Sequence, residues 1–431
     1  MKVAFYIRNS FCDKDVSLEN LYDGNPGIGG TEYVMFVVAH LLTIKNNGLE
    51  VVVYLEKECN LPKELDTCII SNIELAAIDA VQKGCKRFIF DCKWVKWDKH
   101  PFKNISLSMK LIPWLHTPCR ADKLHEICRH PNFGRLICVG KEQRDLYRDD
   151  WTFRHTDYIF NCVPQKNIPS INNIIPYAER KNIVTYIGSL TPRKTFHVLA
   201  EIWPDVLKQV PDAEMYVIGS ASLYDDIDKY GSFHIAEKSY EDSFMPYLTK
   251  DGKILESVHF MGSMGKEKDD ILKISKVGVP NPTGKTETFC LSAVEMQLMG
   301  CAVTSMRAPG YFDTIFNGRI TKKNKRDLSD SIVYLLKNSE LPKTYIETRK
   351  YMWDNFSENA VAEKWEKLLL SDLKENINPI HPLKNKLYRL KLLKEVMRYL
   401  KTLFPVLNKF YPIEKFIIKY EKTLDIAYRF E

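Results

Sequence analysis

The chain has no Cys-x-x-Cys pair: its eleven cysteines, Cys12, Cys59 and Cys68 among them, stand singly along 431 residues. That spacing excludes paired-thiol zinc and redox motifs, offers no disulfide framework, and leads to the expectation of a reduced, cytoplasmic setting. Long apolar runs are missing too. The run over residues 3–7 is closed by Arg8, far too early for a signal peptide or a membrane span. Low-complexity segments are absent, and 45% hydrophobic with 27% charged residues is ordinary for a chain folded nearly throughout. The body also lacks any excess of basic charge. Residues 384–431 hold 12 Lys and Arg against 5 Asp and Glu, while 50 stand against 50 before them, so the tail carries the whole net charge of +7. A balanced body disfavours general nucleic-acid binding, which needs a basic face.

What is present is a repeated alternation of short β-rich runs with helical or loop segments. The first series is 2–8, 50–55, 87–91, 110–115, 135–139 and 157–163; the second is 182–187, 214–218, 258–261, 277–280 and 301–304. Two such series predict two doubly wound parallel sheets, hence two Rossmann-like domains facing a cleft. Pro164, Pro169 and Pro176 punctuate a linker between them. The expected organisation is a first domain over 1–175, a second over 176–355, a helix over 356–373 that crosses back to the first domain, and a helical tail over 374–431.

Four motifs fall at strand-to-helix junctions, where open parallel sheets bind ligands. Gly27-Ile28-Gly29-Gly30-Thr31-Glu32 opens an apolar helix. Its glycines let backbone approach a phosphate or sugar, or simply let the chain turn. It departs from the dinucleotide fingerprint, whose third glycine would fall at Glu32. Arg193 and Lys194, in the loop after the strand ending at Ile187, suit a pyrophosphate or form a solvated surface pair. Glu287 and Glu295 are separated by seven residues, Glu287 in a loop and Glu295 on the helix it enters. Carboxylates so placed accept hydrogen bonds from sugar and ribose hydroxyls, with the helix N-terminus between them open to phosphates. His116, in Trp114-Leu115-His116-Thr117-Pro118, ends a first-domain strand, where it either meets a sugar or is structural.

In this order the four motifs resemble the family 4 glycosyltransferases, retaining enzymes of the GT-B fold, and the resemblance spans about residues 1–370. Gly48-Leu49-Glu50-Val51, Asn161-Cys162-Val163-Pro164, Val217-Ile218-Gly219-Ser220 and Pro282-Thr283 before Glu287 carry it further. The resemblance implies that Gly29 and Gly30 approach the donor, that Lys194 with Arg193 stabilises the pyrophosphate leaving group, and that His116 lies near the reacting sugar. It further implies that Glu287 holds donor-sugar hydroxyls, Glu295 the ribose hydroxyls, and the backbone of Thr288, Phe289, Cys290 and Leu291 the phosphates. The implied activity is retaining transfer from a nucleoside diphosphate sugar, uridine before guanosine, to a glycan or lipid-linked acceptor in surface polysaccharide or glycoconjugate synthesis. No metal and no cofactor are expected, since fixed cations and helix dipoles neutralise the leaving group. Ser189 departs from the family's frequent arginine there, and Cys290 from its frequent glycine. A sugar-nucleotide epimerase, a phosphorylase and a non-catalytic sugar-binding or scaffold protein are the other functions weighed.

In the tail, Leu383, Leu387, Leu390, Leu393, Met397, Leu400 and Phe404 form an apolar stripe among Lys384, Lys386, Arg389, Lys391, Lys394, Arg398 and Lys401. A basic amphipathic helix over 383–404 lies on an anionic membrane, on its own protein, or on a second subunit.

Overall fold

The computed structural model describes residues 1–10, 16–45, 48–164, 166, 168–170, 173–221, 230–285, 287–316, 318–321, 324–338, 345–373 and 383–427, with backbone only over 421–427. Cys12, Thr286, parts of the linker, residues 222–229, and residues 374–382 and 428–431 of the tail lie outside the described residues.

The first sheet is built from β1 (Lys2–Ile7), β2 (Glu50–Leu55), β3 (Asp66–Ile69), β4 (Arg87–Asp91), β5 (Lys110–Leu115), β6 (Leu136–Cys138) and β7 (Thr156–Tyr158). Their order is β3-β2-β1-β4-β5-β6-β7, all parallel. Helices α1 (Gly30–Ile44), α2 (Ile73–Gln82), α3 (Ala121–Cys128) and α4 (Lys141–Asp145) cross between strands. β1 reads as a continuous apolar run because both its faces are covered. Val3, Phe5 and Ile7 enter one core with α1, while Ala4 and Tyr6 enter the other with α2 and α3.

The second unit repeats the plan. β8 (Lys181–Ile187), β9 (Glu214–Ile218), a hairpin of β10 (Thr249–Lys250) and β11 (Lys253–Ile254), then β12 (Val258–Gly262), β13 (Ser275–Gly278), β14 (Ala302–Met306) and β15 (Arg319–Thr321) follow in sequence. The hairpin stands apart, and the parallel sheet runs β12-β9-β8-β13-β14-β15. Its helices are α5 (Phe196–Gln209), α6 (Lys238–Leu248), α7 (Lys268–Ile274), α8 (Leu291–Leu298), α9 (Pro309–Thr314) and α10 (Lys325–Lys337). Both sheets reverse strand order at their centre, beside β1 and β8, and each reversal opens a crevice at the carboxyl ends of the strands.

Four sequence expectations need correction. β3 and β15 are absent from the alternation read above. Both are short edge strands, and the exposed mixture of side chains on β3 does not look like a buried run. The strand expected over 157–163 ends at Tyr158; Ile159 N–H still donates to Cys138 O at 3.0 Å, and by Val163 the backbone has left the sheet, its N–H donating to Phe356 O at 2.9 Å. The helix expected to run unbroken through 383–404 begins only at Lys391, since Arg389 and Leu390 take left-handed conformations.

Two helices close the body: α11 (Tyr345–Phe356) and α12 (Glu358–Leu370). The Ser357 hydroxyl accepts from Ala360 N–H at the start of α12. α12 buries Val361, Ala362, Trp365 and Leu369 in the first domain's core, with Trp365 edge-on to Trp114 at 4.6 Å and 6.3 Å from Phe5. That core continues into the second domain through Phe289, which lies 6.0 Å from Phe160 and 5.3 Å from Phe356. Trp365→Ala therefore opens a cavity where the two units are tied, and urea unfolding is expected to show a loss of about 3–5 kcal/mol; an unchanged midpoint would contradict the tie.

The tail continues as α13 (Lys391–Leu403) and α14 (Ile413–Ala427). Of the three placements open from sequence, α13 packs on its own protein, through its basic face. Lys391, Lys394 and Lys401 are buried against α4 and the residues after it, and the apolar residues face outward.

Candidate functional site

At the central crevice of the second sheet, the loops after β8 and β13 are sewn together. Thr195 donates from Oγ1 to Asn281 Oδ1 at 2.6 Å and lies 3.0 Å from Thr283 Oγ1. Asn281 Nδ2 donates to Lys285 O at 3.0 Å and to Glu287 Oε1 at 3.3 Å. Thr195 holds φ +49°, a conformation uncommon outside glycine that this network sustains. The result is a direct ion pair between Lys194 Nζ and Glu287 Oε1, one residue from each loop. Glu287 is buried, and Lys194 keeps part of its side chain in solvent. Arg193 instead points outward, on the turn Pro192–Lys194.

The second loop then crosses to the first domain. Thr288 Oγ1 donates to His116 O at 2.5 Å, so the end of β5 directly meets the loop between β13 and α8, the signature loop that carries Glu287. Gly310, at the start of α9, holds that loop from behind. A Cβ there would stand 2.7 Å from Thr288 C and 2.8 Å from Phe289 N, both backbone atoms that have nowhere to go. Cys290 and Phe289 are buried and Leu291 is partly exposed, with Cys290 at the N-cap of α8. The first-turn amides of α8 lack intrahelical partners, as in any helix. Across the junction, a Cβ on Gly30 would lie 3.4 Å from Leu291 Cδ1, which brings the first turns of α1 and α8 together. Asn25 Oδ1 accepts from Gly27 and Ile28 N–H, both at 2.9 Å, and so shapes the turn leading to Gly29 and Gly30.

His116 is buried and rests on Trp114, ring centroids 4.6 Å apart. Burial pushes its imidazole down to about 3, so the ring is neutral at physiological pH and offers a hydrogen bond rather than a charge. Its Nε2 has no hydrogen-bond partner among the described residues. Histidine NMR is expected to show no titration of His116 between about pH 5 and 8; a midpoint near 6.5 would contradict the burial.

Glu295 lies one helical stretch further along α8, with Lys268 Nζ 3.9 Å from its Oε1. Lys268 is itself buried, and its Nζ stands 3.4 Å from where a Cβ on Gly24 would be, at the edge of the first domain. The sequence reading passed over both Lys268 and Asn281, since one sits in a mixed-charge run and the other is a lone amide.

A separate cavity of about 230 Å³ opens at the carboxyl ends of β1, β2 and β4, at the reversal of the first sheet. Arg8, Glu32, Glu56, Asp91 and Trp94 line it. Arg8 pairs with Glu56 at 3.3 Å and lies 4.4 Å from the Trp94 ring centroid. Burial, with Glu32 adding to it, pushes the Asp91 carboxyl up to about 6, and burial raises Glu32 as well. An aromatic face beside two carboxyl groups is a setting that takes hydroxyl-rich ligands. Of these residues the sequence reading had reached only Glu32, as part of a glycine turn.

Among the described residues no group of three or more His, Cys, Asp or Glu gathers as a metal site, and the ten described cysteines are free. The chain does contain two Asp-x-Asp triplets, Asp13-Lys14-Asp15 and Asp226-Ile227-Asp228, which lie outside the described residues. The expectation of a metal-free site therefore rests on Lys194 and the α8 N-terminus.

Comparison with known proteins places this geometry. Residues 167–352, the region holding Lys194, Glu287 and Glu295, match the family described as glycosyl transferases group 1. An uncharacterized glycosyltransferase of Methanocaldococcus jannaschii is 24% identical over 246 residues, which are 56% of this chain and 58% of that protein. Similar solved structures include Staphylococcus aureus TarM in complex with fondaparinux, alpha-GlcNAc-glycerol and UDP (TM-score 0.53, 18% identity, 70% of this chain and 59% of that one). Anabaena HepE in complex with UDP-glucose is a second (TM-score 0.60, 16% identity, 86% and 99%). Sucrose-phosphate synthase from Thermosynechococcus elongatus is a third (TM-score 0.57, 16% identity, 85% and 98%). The matches to the curated relative and to TarM thus span under two thirds of those proteins. The fold is GT-B, and the residues that match the glycosyl transferases group 1 family, 167–352, hold its second sheet.

Proposed function

We propose that the protein is a retaining, metal-independent glycosyltransferase that takes its sugar from a nucleoside diphosphate donor, uridine first and guanosine next. The observation that carries this reading is the Lys194–Glu287 pair, held by adjacent strands of the matched domain and facing the His116 end of β5. On donor binding, Lys194 exchanges its carboxylate partner for the diphosphate, and Glu287 turns its oxygens to the donor-sugar hydroxyls. The first-turn amides of α8 take phosphate oxygens. Glu295 accepts from the ribose hydroxyls, with Lys268 beside it. Gly29 and Gly30 let the first domain close on the donor without side-chain obstruction.

The bond from the anomeric carbon to the diphosphate oxygen breaks, and Lys194 stabilises the charge that develops on the departing group. The acceptor hydroxyl bonds to the anomeric carbon on the same face, and its proton goes to the leaving phosphate. Neutral His116 offers Nε2 to the reacting sugar. The cavity beside Asp91 and Trp94 receives the acceptor, a glycan or the sugar end of a lipid-linked chain. Its placement at the reversal of the first sheet, while the donor residues occupy that of the second, supports this division of labour.

The test is product analysis. With UDP-glucose, GDP-mannose and a panel of acceptor sugars, proton NMR is expected to show a new glycosidic bond of the donor's own anomeric configuration, with EDTA present throughout. Inverted product would contradict the stereochemistry, and an isomerised nucleotide sugar without transfer would favour an epimerase.

A further inference from the structure

The tail is an amphipathic segment mounted with its charged side inward. Lys391, Lys394, Arg398 and Lys401 recur three, four and three residues apart on the face of α13 that meets the body. Lys391 pairs with Glu142 and with Asp145 at 3.2 Å. Lys394 donates to Glu414 Oε2 at 2.6 Å and to Leu146 O at 3.2 Å, and Lys401 to Asp149 O at 2.8 Å. The two acidic residues of 383–420 are used the same way. Glu395 accepts from Arg148 at 2.7 Å, and Glu414 is buried between Lys394 and Arg389. This polar seam fixes the orientation of the segment on the first domain.

The opposite face is apolar and open. Leu392, Val396, Tyr399 and Leu403 recur four, three and four residues apart along α13, and Phe404 and Phe410 continue the patch beyond it. Of the 25 large hydrophobic residues exposed among the described residues, 14 fall between Leu387 and Tyr420, so the exposure is one concentrated patch and not a scatter. The exposed charges of 383–420 are all positive, Lys384, Lys386, Lys409, Lys415 and Lys419, with no exposed Asp or Glu among them.

We propose that this outward face docks the protein on an anionic phospholipid bilayer, its aliphatic and aromatic side chains entering the interface and its exposed lysines meeting the headgroups. Charge decides between this occupant and a second copy of the chain. A two-fold contact through the same patch would set lysines against lysines, and none of the described side chains of 383–420 is an exposed carboxylate to pair them. Anionic headgroups carry the complementary charge. Of the stripe's basic residues, Lys391, Lys394 and Lys401 are turned into the body, while Lys384 and Lys386 stay exposed and, with Lys409 and Lys415, serve the lipid. The inference is independent of the donor chemistry proposed above.

Co-sedimentation of the full chain with phosphatidylcholine vesicles, with and without phosphatidylglycerol, tests it. The protein is expected to pellet with the phosphatidylglycerol vesicles and to remain largely soluble with phosphatidylcholine alone. The triple variant Leu392→Glu, Val396→Glu, Tyr399→Glu should lose about tenfold or more in vesicle affinity, and Lys409→Glu with Lys415→Glu should lose the preference for phosphatidylglycerol. Circular-dichroism melting should stay as in the wild type, and so should turnover of a water-soluble acceptor. Absence of binding to phosphatidylglycerol vesicles overturns the proposal, as does unchanged binding in the triple variant. A dimer seen by light scattering that the triple variant dissociates assigns the face to a second copy instead.

Discussion

Lys194→Ala is expected to lower kcat for sugar transfer by about 100- to 1,000-fold, the usual cost of removing one preorganised group that stabilises charge in a transition state. The argument runs through geometry. Lys194 is already held toward the ligand position by its pair with Glu287 and by the Thr195–Asn281 network, so the protein does no reorganisation when the leaving group departs. Glu287→Gln keeps the shape and removes the charge, and should fall by a comparable factor. Because the two act as a unit, the double variant should be scarcely worse than either single one. Steady-state kinetics on the three variants checks this, alongside circular dichroism to confirm folding. Losses that multiply in the double variant would show that the two residues act separately.

The second large effect is expected on the acceptor side. Asp91→Asn should raise the acceptor KM about 10- to 100-fold, the range for a hydrogen bond to a charged group, with kcat changed much less. Trp94→Ala should act in the same direction by removing the ring that Arg8 covers. A pH signature accompanies the Asp91 effect. Its carboxyl is pushed up to about 6 by burial, so it is increasingly protonated below that pH and ionised above it. Acceptor affinity that uses the carboxylate therefore rises as pH increases through about 6, and the inflection disappears in Asp91→Asn. Acceptor kcat/KM measured from about pH 5 to 8 on both proteins decides the matter. A persisting inflection in the variant would assign it elsewhere.

The fold was legible where burial writes a simple pattern. β1, β2, β4 and β5 are buried on both faces and read as apolar runs, whereas β3 and β15 at the sheet edges carry too few residues and too mixed an exposure to stand out. For the site, motif order brought Lys194, Glu287 and His116 to attention one at a time. Their meeting across two loops and two domains depends on strand order, which puts β8 beside β13 and leads the signature loop back to the end of β5. Asn281, Lys268 and Asp91 carry no motif, and their importance comes entirely from what folding sets beside them. Arg193 is the converse: adjacent to Lys194 in the motif, it stands outside the pair. In the tail, periodicity revealed two faces but not which one turns inward. The acidic residues that capture Lys391, Glu142 and Asp145, lie nearly 250 positions earlier in the chain.

The most direct test of the central claim is calorimetric titration of UDP, UDP-glucose, GDP and GDP-mannose into the wild type and Lys194→Ala, with and without EDTA. Saturable binding of one nucleotide class, indifferent to EDTA and weakened about tenfold or more by loss of the lysine, is the predicted result. Binding that survives intact in Lys194→Ala, or that EDTA abolishes, would contradict the account of the leaving-group site.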